Sequence, residues 1–484
     1  MPGKFEAPRN GGRPGRPGSG GNPPDRSGNG GSSARRPRPR RRRRRIGPLV
    51  LLPLVLVLVL LVVLLTRCGR AKDPEPQDSR LQITDAAETT LPQPTVVATA
   101  TVAAQGDLLM HKYIFTDNPK YPGACNLGDG VYNFDSIFKY VTPYISAADY
   151  AVANLETTLG GDGYPYSGNP LFNCPDALAD SAANAGFDML LTANNHCADT
   201  TADGLKRTVE QVRSRNLATL GTQLNDQEKK YALVDVNGIR IGMLCYTYAA
   251  GLESDGSPNL NFKDQTIVRE AGVVNYFTVN NLDRLYSEVQ TILSDMKAEG
   301  AEASMLFIHW GTEYELTQDA TQSAIAQKMC DLGIDVIVGG HPHVVEPMDL
   351  LTSNADPDHK TVCIYSLGNA VSNQRREEMR LDTGHTEDGA LFSVTFEKNS
   401  DGAVRVSDVN VMPTWVNKFV NGDGKFEYNI LPLDGNTRDQ WKTRYGLSDA
   451  AGAELQASYD RTMAIVGPGL SKCRDFLGSS GETA

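Results

Sequence analysis

The sequence predicts an α/β fold in which mixed sheets are flanked by helices, preceded by one transmembrane helix and a disordered basic tail. Three observations predict it. Short apolar runs alternate with amphipathic helical patterns over most of the chain, which is typical of βαβ units and a partly parallel sheet. Residues 46–65 carry no charge and form enough helix to cross a bilayer core of roughly 30 Å. Residues 1–45 are rich in Gly, Pro and Arg and have almost nothing to bury.

The alternation sets the boundaries of each predicted element. The apolar runs predicted as strands are 95–104, 150–153, 188–192, 304–308, 335–338 and 362–365. The patterns predicted as helices are 134–148, 176–185, 203–215, 282–299 and 318–332. Two hairpins make the sheet system mixed: 231–236 with 239–246 across Asn237-Gly238, and 391–396 with 404–411.

These patterns divide the chain into five parts. They are a disordered basic cytoplasmic tail (1–45), a transmembrane signal anchor (46–66), an extracytoplasmic linker (67–93), a folded domain (94–421) and a C-terminal extension with one helix and a polar tail (422–484). The apolar segment exceeds the core of a cleaved signal peptide and no A-x-A site follows it, which favours an uncleaved anchor.

Charge is distributed unevenly along the chain. Residues 1–45 carry 14 basic and 2 acidic residues, a charge of +12, so the remainder of a chain with net charge −11 carries −23. A body this acidic disfavours a nucleic-acid partner. The basic flank favours a cytoplasmic amino terminus. We therefore expect a single-pass protein of the cell membrane with its main domain outside the cell.

Scarce histidines concentrate in polar segments that directly follow the predicted strands. These segments are 106–111, 154–156, 193–196, 309–313, 339–343 and 366–369, and they contain five of the seven His: His111, His196, His309, His341 and His343. Loops after the carboxyl ends of neighbouring strands in an α/β sheet converge on one crevice. Imidazole together with carboxylate and amide oxygens fits divalent ions such as Mn, Fe or Zn, and we predict two of them. An anionic substrate group is favoured beside such ions.

The six segments, in this order, resemble the CapA family of capsule (poly-gamma-glutamate) synthesis proteins, which is itself similar to calcineurin-like metallophosphatases. The resemblance covers roughly residues 95–415 and implies a metallophosphatase-like architecture. It implies the following ligands: Asp107 and His111 for the first metal, Glu156 as the bridge, Asn195 and His309 for the second metal, and His341 and His343 divided between the two. It also implies that His196 is the general acid.

Other polar residues in these segments are expected to orient ligands or substrate rather than bind metal. Glu313, Asn369 and Asn194 fall in this class. Simpler explanations stay open for single residues. His309 could stack on Trp310, His111 could orient another ligand, and Asn194 with Asn195 could form a turn.

The resemblance implies a role in the synthesis, export or anchoring of a capsular polymer. The metal-ligand pattern favours a metal-dependent hydrolase of phosphoester or related bonds. The alternative is a non-catalytic subunit that binds metal or polymer beside a capsule synthase. The expected partners are the membrane, an anionic capsular polymer or phosphorylated substrate, and capsule synthase subunits. Cys125 and Cys174, both in loop sequences, are a possible disulfide in an oxidising space.

Overall fold

A computed structural model describes residues 94–481 of the chain. The predicted tail 1–45, transmembrane helix 46–66 and linker 67–93 all lie outside these residues. Within residues 94–481, no helix is both long enough and apolar enough to cross a membrane.

The described residues form 19 strands and nine α-helices. The strands are β1 Val96–Leu108, β2 Asn126–Gly128, β3 Val131–Tyr132, β4 Tyr150–Asn154, β5 Met189–Leu191, β6 Ala218–Leu220, β7 Tyr231–Val236, β8 Ile239–Tyr248, β9 Gly251–Leu252, β10 Pro258–Asn259, β11 Tyr276–Phe277, β12 Ala303–His309, β13 Val336–Gly340, β14 Met348–Thr352, β15 Lys360–Ile364, β16 Asn369–Val371, β17 Asp388–Asn399, β18 Val404–Val420 and β19 Phe426–Pro432. The helices are α1 Asp135–Phe138, α2 Thr142–Ile145, α3 Ala177–Ala185, α4 Thr201–Arg213, α5 Leu282–Ala298, α6 Ala320–Leu332, α7 Arg376–Met379, α8 Trp441–Arg444 and α9 Asp449–Gly481.

Two large mixed sheets organise these elements. The first has the order β19-β18-β17-β1-β4-β5-β6, with β16 also paired to β1, and the second has the order β11-β8-β12-β13-β15-β14, with β7 also paired to β8. Strands β1, β4, β5 and β6 run parallel, as do β8, β12, β13 and β15. The predicted α/β class with mixed sheets is confirmed.

The main hydrophobic core lies between the two sheets. Val102 of β1 and Phe392 of β17 share this core with Met243 of β8 and Phe307 of β12. Side chains alternate between the faces of a strand, so the next residues pack outward. Ala103 and Leu190 face the side of α1 and α3, while Leu306 faces α5 and α6. Each sheet is therefore buried on both faces, which explains its nearly continuous apolar runs.

The helix predicted over 134–148 is wrong as a single element. The structure has two short helices there, α1 and α2, and Pro143 occupies the first turn of α2. Proline has no backbone N–H and clashes with the preceding turn, so it starts a helix more readily than it continues one. The apolar face survives the break because Ile137, Phe138 and Ile145 are all buried in one cluster.

Residues 422–481 continue the architecture of the domain. Strand β19 pairs with β18 at the edge of the first sheet, and α9 packs against both β14 and β18. The one helix predicted for the C-terminal extension, near residues 450–466, is much longer in the structure, where it runs from Asp449 through Pro468 to Gly481. Gly469 makes this packing possible, because a Cβ there would lie 1.7 Å from the carbonyl oxygen of Met348.

The described cysteines are buried free thiols. Cys125 and Cys174 are close enough for a charge on one to raise the pKa of the other, but burial is the larger cause of the raised pKa of Cys174. The structure therefore shows these two residues as neighbouring unbonded thiols, and their pairing stays a prediction.

We expect Gly469→Ala to destabilise the protein by about 2 kcal/mol, because a methyl group would push α9 away from the backbone of β14. Gly452→Ala, in the same helix, is the matched control. Its Cβ would make only ordinary contacts of 3.5–3.6 Å with Lys442, so its stability should stay equal or rise slightly. Urea denaturation of the full-length chain measures both, and equal midpoints would contradict the packing described.

Candidate metal centre

Side chains from both sheets meet at the carboxyl ends of the parallel strands. Asp107 lies at the end of β1 and Glu156 follows β4 by two residues, while His309 ends β12. His341 and His343 follow β13. All five are buried, and Asp107 pairs in register with Asn154 of β4 as His309 does with Gly340 of β13.

The five residues form two groups with metal-binding geometry. One group is Glu156, His309 and His341, and the other is Asp107, Glu156 and His343. In each group the ligand atoms lie within 4.8 Å of one another. Glu156 belongs to both. Its Oε1 lies 3.3 Å from His309 Nε2, and its Oε2 lies 3.8 Å from His343 Nδ1.

Buried polar atoms without hydrogen-bond partners indicate whether these residues are suited to binding a cation. Among the described residues, both carboxylate oxygens of Glu156 and the Nδ1 of His341 are buried without a hydrogen-bond partner. A buried carboxylate without a partner is costly, because it loses hydration and gains nothing in return. The two carboxylate oxygens of Glu156 and the Nδ1 of His341 belong to one ligand group, together with His309. These atoms, which lack hydrogen-bond partners, are therefore suited to binding divalent ions.

The histidine turn has a strained backbone. His341 has φ 98° and His343 has φ 58°, a region that non-glycine residues seldom adopt. Gly340, the last residue of β13, is needed for another reason, because a Cβ there would lie 3.0 Å from Asp107 Oδ1. Strain of this kind persists where surrounding contacts impose it, and it often marks a functional site.

The electrostatics of the site favour positive charge near its carboxylates. Burial opposes ionisation of Asp107, but the hydrogen bond from His343 and the charges of His309 and His343 outweigh it, so the pKa of Asp107 is lowered. Burial also disfavours a charged His343, yet Glu156 and Asp107 raise its pKa to about 9. Burial, followed by the charges of the other histidines, holds the pKa of His341 well below its usual value. A neutral His341 has a free lone pair to offer a metal.

Amide side chains complete the centre. Asn195 Oδ1 lies 2.9 Å from His309 Nε2, which places this predicted ligand beside the first group. Asn194, predicted to orient others, donates to Asn154 Oδ1 and to the carbonyl of Leu155. Asn154 in turn donates to Asp107 Oδ1 at 2.7 Å. Sequence analysis missed Asn154, although it ends a buried strand two residues before Glu156.

His196, the predicted general acid, sits beside the metal ligands with a fixed orientation. Its Nδ1 donates to Asp199 Oδ2 at 2.7 Å, and the same oxygen accepts the backbone N–H of Phe172. Burial lowers the pKa of His196, but the Asp199 charge and hydrogen bond outweigh burial and raise it. Sequence analysis also missed Asp199, for which the signal was a carboxylate three residues after the histidine.

The remaining predicted residues surround the centre. Asn369 Oδ1 lies 3.1 Å from His343 Nδ1, and its amide donates to the His343 carbonyl. Glu313 is exposed, yet its charge acts on both His343 and Tyr248. Tyr248, which sequence analysis missed, packs its ring 4.7 Å from that of His341.

His111 belongs to neither metal-binding group of the described residues. Its Nδ1 lies 3.3 Å from the Leu109 carbonyl and accepts the backbone N–H of Asn373 at 3.3 Å. Burial lowers its pKa to about 4. Its ring packs edge-on against Phe172, whose other neighbour is His196. The structure thus places His111 beside the pair formed by His196 and Asp199. The role of His111 as a metal ligand stays a prediction.

Comparisons with known proteins identify the family of the chain. Residues 101–374 match the family model described as bacterial capsule synthesis protein PGA_cap. The PGA biosynthesis protein CapA of Bacillus subtilis (strain 168) is 26% identical over 348 residues, which cover 70% of this chain and 79% of that protein. The capsule biosynthesis protein CapA of Bacillus anthracis is 28% identical over 291 residues, which cover 58% of this chain and 62% of that protein. The matched region spans every predicted metal ligand, and the chain therefore belongs to the family of bacterial capsule synthesis proteins.

Proposed function

We propose that this chain is a membrane-anchored, extracytoplasmic hydrolase that uses two divalent ions in making, exporting or tethering a capsular polymer. One observation carries the proposal. Glu156 is fully buried, both of its oxygens lack hydrogen-bond partners among the described residues, and it belongs to two ligand groups at once. A carboxylate shared in this way is suited to bridging two cations. The names of the two relatives support the link to capsule or PGA biosynthesis.

The donor set identifies which residues would hold the ions. Asp107, Glu156 and His343 would hold one, and Glu156, His309 and His341 the other, with Asn195 beside His309. Mixed imidazole and oxygen donors fit Mn, Fe or Zn. When bound, such ions activate water and stabilise negative charge on a phosphoryl or acyl oxygen.

The chain's own residues supply orientation and a proton. Asp199 holds His196 by its Nδ1, so the other ring nitrogen, Nε2, is available to donate a proton to the leaving group. Asn154 fixes the Asp107 carboxylate by a hydrogen bond to Oδ1, which leaves the second oxygen, Oδ2, directed toward His343 at 3.5 Å. Fixed partners of this type keep the reacting groups aligned without reorganisation.

The proposed location follows from the amino-terminal sequence. A 20-residue uncharged stretch follows a strongly basic segment, an order that favours a cytoplasmic amino terminus and an exported carboxyl-terminal domain. An acidic domain outside the cell with a locally cationic centre would attract an anionic polymer to one place only.

We expect Glu156→Gln to reduce bound metal by at least one ion per chain, because the amide removes the charge shared by both groups. Elemental analysis of the dialysed full-length protein measures this. Added EDTA should lower the unfolding temperature of the parent, since bound metal stabilises the folded state. It should lower the unfolding temperature of the variant by less, because the variant has less metal to lose.

Glu210→Gln is the matched control for that experiment. It removes the same charge from an exposed glutamate of α4 that belongs to neither ligand group, so its metal content should equal that of the parent. A Glu156→Gln protein that keeps both ions would refute the bridging role.

We expect His196→Asn to lower turnover by about 100-fold or more, because loss of a positioned general acid typically costs that much. Hydrolysis of generic phosphodiesters and of poly-glutamate, each with Mn²⁺, measures it. Metal content should be unchanged. Asp199→Asn should give a smaller loss, since His196 remains but loses the partner that orients it.

Two outcomes separate the hydrolase from the alternative accessory subunit. Turnover that depends on both His196 and Glu156 supports the hydrolase. A protein that binds metal and polymer but turns over none of these substrates, with Mn²⁺ or without it, supports the non-catalytic subunit.

A further inference from the structure

Residues 249–275, which connect β8 to β11, bring an asparagine side chain to the pair formed by His196 and Asp199. The Nδ2 of Asn261 lies 3.2 Å from His196 Nδ1 and 3.5 Å from Asp199 Oδ1. Asn261 belongs to neither metal-binding group of the described residues. It is 65 residues from His196 along the chain, so tertiary packing creates this contact.

The segment that carries Asn261 is packed against the loop that carries His196. Leu260 is fully buried in an apolar cluster that includes Cys197 and Ala198 of that loop. The backbone N–H of Asn261 donates to Thr266 Oγ1 at 3.1 Å. The apolar contact and the hydrogen bond together hold the backbone of Asn261 in place. Its side chain is therefore positioned before any substrate binds, as a group that orients others must be.

The carbonyl of Pro170 determines which end of the Asn261 carboxamide faces the pair. Asn261 Nδ2 donates to this carbonyl at 3.2 Å. The opposite orientation would point Asn261 Oδ1 at the carbonyl oxygen, and two acceptors repel each other. The amide nitrogen has a second hydrogen, which His196 Nδ1 cannot accept because that nitrogen donates to Asp199 Oδ2. The second hydrogen is therefore directed to Asp199 Oδ1.

The Asp199 carboxylate thus has partners for both of its oxygens. Its Oδ2 accepts from His196 Nδ1 at 2.7 Å and from the Phe172 N–H at 2.6 Å, and its Oδ1 faces Asn261. Hydrogen bonds to an ionised carboxylate are stronger than those between neutral groups. A carboxylate held at both oxygens is less free to rotate. It therefore keeps Nδ1 of the imidazole protonated and directed toward Asp199, which leaves Nε2 available.

We propose that Asn261 is a positioning residue for the proton donor: it fixes Asp199, which in turn holds the His196 imidazole in the tautomer and direction that proton transfer needs. The proposal rests on the proposed function, because it gives Asn261 a part in the reaction of that site. A carboxamide does not ionise at ordinary pH, so Asn261 orients the proton donor and transfers no proton itself. Loss of its N–H groups should therefore change turnover and leave bound metal unchanged.

Kinetics of the full-length protein with Mn²⁺ and a generic phosphodiester test this role. Asn261→Leu keeps the branched shape of the side chain and removes its N–H groups. We expect kcat to fall by about tenfold, which is typical for the loss of one hydrogen bond to a charged group, while KM and metal content stay unchanged. In a His196→Asn background, Asn261→Leu should cause no further loss, because its effect passes through His196.

Asn281→Leu is the matched control. Asn281 is exposed and its side chain makes no capping hydrogen bond to α5, so this variant should keep the kcat of the parent. An equal loss of kcat from Asn261→Leu in the parent and in His196→Asn would overturn the proposal, because Asn261 would then act independently of the proton donor. An Asn261→Leu protein with the kcat of the parent would overturn it as well.

Nuclear magnetic resonance separates this proposal from the hydrolase function. The full-length protein is isotopically labelled at its histidine nitrogens and kept in EDTA, and His196→Asn identifies the His196 Nδ1–H signal by its disappearance. We expect Asn261→Leu to speed the exchange of this proton with water several-fold, and Asn281→Leu to leave its rate unchanged. Faster exchange in a protein without any turnover supports the positioning role and removes the proposed hydrolase function. An unchanged exchange rate overturns the positioning role, whether or not the protein is a hydrolase.

Discussion

The buried carboxylate of Glu156 is the constraint on which the rest of the site depends. It lies where the two sheets meet, with no hydrogen-bond donor for either oxygen among the described residues. Its neighbours at 3.3 and 3.8 Å are imidazole nitrogens from the second sheet, His309 and His343. An ionised carboxylate in such a place is stable only beside positive charge. Side chains from the two sheets therefore leave a place for cations beside this carboxylate.

Close approach of backbones brings the strand ends to that carboxylate. A Cβ on Gly106 would lie 2.0 Å from the Gly368 carbonyl oxygen, and one on Gly339 would lie 1.8 Å from the Tyr365 carbonyl oxygen. Larger residues at either position would push the neighbouring segments apart. The loops that bear the candidate metal ligands start directly after these contacts. The two glycines therefore help to position the candidate ligands, although they have no side chain that could bind metal.

One short loop links the candidate metal centre to the proposed proton donor. Asn195 lies beside His309, His196 is the proposed donor, and Asp199 orients His196. These three residues lie within positions 195–199, in the loop that follows β5. All three are buried, so a shift of this loop would move them together.

Local sequence patterns determined most of the strand and helix alternation and both hairpins, because periodicity and turn residues are properties of neighbouring residues. The position of polar residues after apolar runs located the candidate site, and the family resemblance implied which of them are the ligands. Only the tertiary structure decided that Asn154 holds Asp107 and that His111 lies against Phe172 outside both groups. It also decided that β19 and α9 complete the domain. The physical reason is that such contacts join residues far apart in sequence, so packing geometry rather than local propensity selects them.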